Sequence, residues 1–495
     1  MKTILHTLTL FLALPFAALA NNVSITNLSL PDNQTIQFDI AWDNAWDLDS
    51  EAEPYNHDAV WVFVKVHYPA HTWGHADVST QTSDHTVGQP LVIEAVADGK
   101  GIFIRRGDGL AGHVGTTTVT LKLQNPLPAD AYGIKVFGVE MVYVPEGPYY
   151  LGDSTSFDAL GRGSDKGPLL IDSENAITLG NSATQLSNNN DKPAAGNIPA
   201  TFPKGYGGFY CMKYEISQEQ YADFLNCLNL TQQTTRTATA PTAAVGTLAL
   251  SGFNANRNGI RIGKSSNGNS PAIYICDANT ANPPNSTDDG QNRACNFLNW
   301  NDVAAWLDWA ALRPMTELEF EKANRGPAYP VGGEFAWGTP LIVDANTLAS
   351  DGLATETVTD AVPAGYGLAS HGYAGPQGAL RCGFGGNDTS NRLTIGAGYY
   401  GALELSGNLW ELVISTTTTT GLTYTAATGD GNLNTDGNAN TATWPGADAQ
   451  GAGHRGGGWN SGILPDFRDL AVSDRFYISL VPTARRNTGG GRGVR

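Results

Sequence analysis

The sequence predicts an α+β protein of two units: a β-sandwich over residues 21–137 and a loop-rich domain with a few short helices over residues 138–495. Three observations carry this expectation. Up to residue 137 the apolar residues alternate or run in short blocks separated by turn signals, which is the strand pattern. Beyond residue 138 they recur at helical spacing, but only in brief stretches set among Gly-, Asn- and Thr-rich loops. The chain also carries 58 glycines, and only 15% of its residues are charged, against roughly 25% in ordinary soluble domains, which leaves little material for long charged helices.

At the start, Lys2 precedes an apolar stretch over residues 4–18, and Ala18-Leu19-Ala20 supplies the small-x-small pattern of a cleavage site. Residues 1–20 therefore read as a secretory signal peptide, and a secreted, extracellular or cell-surface location is expected. The run is short and broken by His6, Thr7, Thr9 and Pro15, so it is not expected to span a membrane, and no later segment is long and apolar enough to do so. In the first unit Ile36, Phe38, Ile40 and Trp42 alternate, residues 60–64 (VWVFV) form a continuous apolar block, and Val119, Leu121 and Leu123 alternate again. His67, His71 and His75 are spaced four apart, as metal ligands on a helix would be. Pro69, Gly74 and the strand-like flanks argue against that helix, and a solvated loop is expected.

In the second unit Ser217 with Gln220 forms a capping box ahead of Tyr221, Phe224, Leu225 and Leu228, and Thr316 with Glu319 opens another short helix ending at Gly326. Val303, Trp306, Leu307 and Ala310 mark a helix between them. Residues 231–246, 279–292, 416–420 and 429–443 read as long polar loops. Within the last, Asn432, Asn434, Asp436 and Gly437 echo a calcium loop but lack its twelfth-position Glu, where Thr443 stands, so a polar turn is expected. His371 and His454 sit alone in Gly-rich stretches and read as surface residues. The five cysteines, at 211, 227, 276, 295 and 382, make no C-x-x-C pair. An odd count leaves at least one thiol free or intermolecular, and spacing alone does not assign a disulfide.

The formal charge is 29 − 47 = −18, which disfavours nucleic-acid binding through a basic face and suits solubility or calcium. The 41% apolar content, with 11 Trp, 18 Tyr and 17 Phe, is ample for packed cores. No G-x-S-x-G elbow, H-E-x-x-H or P-loop occurs.

Residues 141–147 (MVYVPEG) with Tyr150-Leu151-Gly152, Tyr214-Glu215-Ile216-Ser217, Arg313-Pro314-Met315-Thr316-Glu317, Ser406-Gly407-Asn408-Leu409-Trp410-Glu411, Arg455-Gly456-Gly457-Gly458-Trp459 and Arg492-Gly493-Val494-Arg495 stand in this order along the chain. Together they resemble the formylglycine-generating enzyme, or sulfatase-modifying-factor, family, in a two-domain form of the kind exported by Bacteroidetes. The resemblance implies a C-type-lectin-like fold with long loops, stabilised by calcium. It would place calcium on the side chains of Glu404 and Glu411 and the carbonyls of Gly407 and Leu409, although the family usually has Asn or Asp where Glu404 stands. Asn346 and Asp360 map to a second family calcium site.

The enzyme that names the family holds copper with two cysteines just after the Gly-Gly-x-aromatic motif. The matching positions here are Ser461 and Asp466, and neither hydroxyl nor carboxylate replaces a thiolate for Cu(I). Copper is therefore not expected, nor is the iron chemistry of a related branch, which needs a helical His-bearing partner domain. What remains is a scaffold whose segment 460–475 brings Trp459, Ser461, Asp466 and Arg468 to the region of the family's groove. The expectation is a secreted, non-catalytic surface protein that binds an extracellular peptide or glycan, or assembles with copies of itself. The alternative is a formylglycine-generating-type oxidoreductase acting on a protein cysteine.

Overall fold

The computed structural model describes residues 22–48, 54–68, 72–128, 131, 133–188, 192–386, 391–462 and 468–495. The expected signal peptide, His71 and Asp466 lie outside the described residues. The chain is mostly β with few helices, in keeping with an α+β class.

Nine strands open it: β1 (Ser24–Asp32), β2 (Thr35–Trp46), β3 (Asp58–Tyr68), β4 (Thr72–Ala76), β5 (Thr86–Val87), β6 (Leu91–Ala95), β7 (Ile102–Arg106), β8 (Ala111–Lys122) and β9 (Gly133–Val144). One sheet has the order β1-β2-β8-β5. A second, of eight strands, runs β6-β7-β3-β9 with β4 also on β3, and continues through Phe209–Met212 and Gly493–Val494 to Arg313–Pro314. Ile36, Phe38, Ile40 and Trp42 of β2 and Val119 and Leu121 of β8 close a core with Val60, Val62 and Val64 of β3 and Ile102 and Ile104 of β7.

The alternate residues of β3 face the other way. Ala59, Trp61 and Phe63 are fully buried among Trp306, Trp309 and Ala310 of the second unit. A strand buried on both faces has no polar face to show, which explains the unbroken apolar block in its sequence. The expected boundary after residue 137 falls inside β9, which pairs with β3 along residues 133–142 and with Phe209–Met212 along residues 141–144. The two units thus share one hydrogen-bonded sheet.

The helices form where the spacing puts them. In α1 (Gln218–Leu225) and α4 (Glu317–Arg325) both expected capping boxes are made, Ser217 with Gln220 and Thr316 with Glu319. In α3 (Trp300–Trp309) Asn299 and Asp302 form a third. The segment expected to be a loop from residue 231 instead starts with a helix, α2 (Leu230–Arg236), because Asn229 and Gln232 box its first turn and Gln233 and Arg236 are buried against neighbouring chain. His67 and His75 lie in the β3–β4 hairpin rather than a solvated loop: His67 stacks on Trp73 with centroids 4.8 Å apart, and His75 Nε2 meets the Lys100 carbonyl at 2.7 Å. The Asn434 side chain accepts from the Asp436 and Asn438 amides, making the expected polar turn. All five cysteines are buried free thiols.

Candidate functional site

Strand Trp410–Ile414 runs antiparallel to Ala452–Arg455 and parallel to Gly489–Gly490. At its mouth is a cleft of about 430 Å³ with Trp410, His454, Tyr477, Phe476, Ser461 and Arg468 in its walls. Trp410 is half-buried and forms a wall of this cleft. Its ring meets His454 edge-on at 5.9 Å and Tyr477 at 5.1 Å. Arg468 is stacked between Phe157 and Phe476, 4.9 and 4.8 Å from their ring centres.

Of the expected ligand-binding residues, Ser461 and Arg468 line the cleft and Trp459 does not. Trp459 is 4% exposed, its indole N–H given to the Asn487 carbonyl at 2.9 Å and its amide to Asn408 at 2.7 Å, so it fixes the loop from behind. Ser461 Oγ accepts the Gly458 amide at 2.9 Å. His454 is buried, contrary to the surface position expected of it. Nδ1 lies 3.0 Å from the Leu480 carbonyl, and burial lowers its pKa to about 4, so the ring is neutral. His371 is also buried rather than superficial.

Glu411, next to Trp410 on the same strand, belongs to a buried charge cluster. Glu215, Glu404, Glu411 and Arg492 are each at most 5% exposed. Arg492 Nε donates to Glu411 Oε1 at 2.6 Å, and its other nitrogens donate to the Leu403, Met212 and Lys213 carbonyls. Glu215 accepts from Asn408 Nδ2 at 2.5 Å and the Leu409 amide at 2.9 Å. Glu404 accepts the Gly383 amide at 2.9 Å, while its Oε2 and that of Glu411 are buried without a hydrogen-bond partner. Burial, and then the Glu411 and Glu404 charges, hold the Glu215 carboxyl well above its ordinary range; burial also pushes Glu404 up to about 7, against the pull of Arg492.

Gly407, at φ +94°, donates its amide to the Gly456 carbonyl, and a Cβ there would come within 2.5 Å of the Ser370 carbonyl, so only glycine fits. Glu404 is itself left-handed at φ +57°, a conformation Asn and Asp tolerate better than Glu. Neither Glu215 nor Arg492 was singled out as a site residue from sequence, though both stand in motifs of the resemblance.

The second expected pair also meets. Asp360 Oδ2 accepts the amides of Asn346 and Thr347 at 2.9 and 2.7 Å, and Asn346 is exposed. Asp344 lies close enough to feel the Asp360 charge; burial chiefly, then that charge, raises it to about 6. Among the described residues no group of three or more His, Cys, Asp or Glu surrounds a common metal position, and no helix is long and apolar enough to cross a membrane.

Residues 138–463 match the family model of the sulfatase-modifying factor enzyme 1-like domain. The chain belongs to this family. The match begins within β9 and covers the Trp410 strand, the buried carboxylates and the Trp459 loop. No curated protein matches the chain. The sulfatase-modifying factor match thus holds Trp410, His454 and Ser461 of the cleft and Glu215, Glu404 and Glu411 of the cluster, while Arg468, Tyr477 and Arg492 lie beyond its last residue.

Proposed function

We propose that the protein is a secreted, non-catalytic member of the sulfatase-modifying factor family that binds an extracellular peptide or glycan in the cleft of Trp410. Its first unit serves as a β-sandwich, and its second as a lectin-like scaffold. The observation that carries this reading is the chemistry of the cleft wall: aromatic edges from Trp410 and Tyr477, the hydroxyl of Ser461 and the guanidinium groups of Arg468 and Arg486. These groups bind and orient; a hydroxyl already held by the Gly458 amide is no ligand for Cu(I). Two arginines against the single Asp469 in that wall favour a ligand bearing a carboxylate or sulfate. Copper loading followed by a Cys-x-Pro-x-Arg peptide is the deciding experiment. No aldehyde should form, and formation of formylglycine would establish the oxidoreductase alternative instead.

Calcium is part of the proposal. The buried Oε2 atoms of Glu404 and Glu411 lack partners, and three carboxylates gather near Arg492 with Arg381 also acting on Glu404, so a cation held by Glu404, Glu411 and the carbonyls of Gly407 and Leu409 would offset the remaining negative charge. Asn346 and Asp360 would hold a second, more exposed ion. Chelation should then lower the melting temperature, and an unchanged melt would leave a proton, not calcium, on this cluster.

Assembly with copies of itself has one observation behind it. Edge strand β1 leaves Leu28 and Leu30 exposed, at 38% and 46%, an arrangement open to strand pairing. Electron microscopy of the native secreted material would separate filament, oligomer and monomer.

A further inference from the structure

The cleft of Trp410 continues beyond its own rim. A neighbouring cleft of about 390 Å³ lies against Phe253 and Phe297, and the two have Asn460, Arg486 and Thr488 in common, so they form one groove. At this shared waist none of the three side chains makes a hydrogen bond or ion pair among the described residues. Thr488 is only 6% exposed, yet its hydroxyl is unmet. Arg485 makes the contrast: two of its nitrogens donate to Asp302 at 2.7 and 2.8 Å, so of the two neighbours it is Arg486 that keeps its donors for a ligand.

Aromatic rings stand beyond the waist on either side. Phe253 is 98% exposed, on a turn that Ser251 Oγ closes by donating to the Asn254 carbonyl at 2.8 Å. In the other cleft Tyr373, 56% exposed, shares the wall with Trp410. The main-chain carbonyls of the waist are already occupied. That of Arg486 accepts the Phe297 and Gly489 amides, each at 3.0 Å, that of Asn487 accepts Asn296 Nδ2 and the Trp459 indole, and that of Thr488 accepts the Trp410 amide.

We propose that the whole groove binds an acidic oligosaccharide, with a carboxylate or sulfate on Arg486 and sugar rings against Phe253 and Tyr373. This rests on the reading of the Trp410 cleft as a binding site and narrows its ligand to one class. A guanidinium, a carboxamide and a hydroxyl with no protein partners match an anionic group flanked by sugar hydroxyls, and exposed aromatic rings cover the C–H faces of sugars. An extended peptide would add main-chain pairing, which carbonyls already bonded at the waist do not supply.

The test titrates the full chain by calorimetry with hexagalacturonate, whose anions are carboxylates, and a κ-carrageenan hexasaccharide, whose anions are sulfates. Fully methyl-esterified hexagalacturonate is the neutral control, digalacturonate the control too short to span the groove, and hexaglutamate the acidic peptide. One of the acidic hexasaccharides should bind at least about tenfold more tightly than each control, and the tighter of the two names the anion. Arg486→Gln should weaken that binding about tenfold or more. Phe253→Ala should weaken it about three- to tenfold. Both side chains lack protein partners to lose, so the melting temperature should stay unchanged. Unchanged affinity in Phe253→Ala, or equal binding of the digalacturonate, would overturn the groove and leave the cleft of Trp410 standing alone as a binding site. Binding of hexaglutamate without either hexasaccharide would overturn the glycan assignment but keep the cleft, and binding of none of the probes would sink both.

Discussion

The core between the two sheets and the core around α4 solve the same problem with opposite materials. Between the sheets, β2, β8, β3 and β7 bury Ile, Val, Leu, Phe and Trp side chains almost alone. Around α4 every residue from Glu317 to Arg325 is buried, and much of what is buried is charged. Glu317 accepts from Arg455 at 3.0 Å, from Arg475 at 2.6 Å and from the Thr416 amide at 2.8 Å. Glu321 joins Arg455 and Arg325, each at 3.0 Å, and takes the Gly152 amide at 2.8 Å. Arg313 grips Glu319 with two nitrogens at 2.9 and 2.7 Å. Buried ions are tolerated only when nearly every lone pair and proton is matched, and here the matching is what pins loops from residues 150, 334, 416 and 473 onto one helix. An apolar core forgives a change of shape; an ionic one does not forgive a missing partner.

Substitutions put numbers on that contrast. Glu317→Ala leaves the buried Arg475 guanidinium with no carboxylate and takes one of two from Arg455, and should cost about 3–5 kcal/mol in denaturant unfolding. A loss below about 1 kcal/mol, the range of surface pairs, would mean the network is solvated in solution.

Acid should act on the same place next. Burial alone would raise the Glu317 carboxyl, but Arg475 and then Arg455 outweigh it and bring it down to about 2. A group depressed in the folded state adds stability above its unfolded pKa, near 4.5, that is lost as the pH falls towards 2, roughly 3 kcal/mol in all. Between about pH 5 and pH 2 the melting temperature should fall more steeply for the native chain than for Glu317→Gln; parallel declines would contradict the assignment.

Ile104→Val, in the apolar core, should cost only about 0.5–1.5 kcal/mol and leave the acid response unchanged.

Legibility in the sequence divides along the same line. Alternation at Ile36, Phe38, Ile40 and Trp42 marks β2 because a two-faced strand must repeat every second residue, and the block over residues 60–64 marks β3 because both its faces are covered. Capping boxes at Ser217 and Thr316 are local chemistry and equally plain. The site is harder to read. Glu404, Gly407, Leu409 and Glu411 come from one short stretch, but Glu215 and Arg492, which complete the cluster, arrive from remote segments that flank other elements, and no spacing rule links them. The burial of His371 and His454, and the turning of Trp410 into a cleft wall, depend on which loops cover them. Gly-rich stretches of this kind hide that cover, because their packing is set by tertiary contacts and not by a period.

The eight-stranded sheet has its own consequence for the order of events in folding. Residues 493–494 stand between strand Phe209–Met212 and strand Arg313–Pro314, so those two have no hydrogen-bonded partner in common until residue 494 has been made. During synthesis the sheet can grow outward from β3 and β9 early, yet its far side must wait as an open edge. In that interval the edge is open to a strand from another molecule, and the late segment is what closes it.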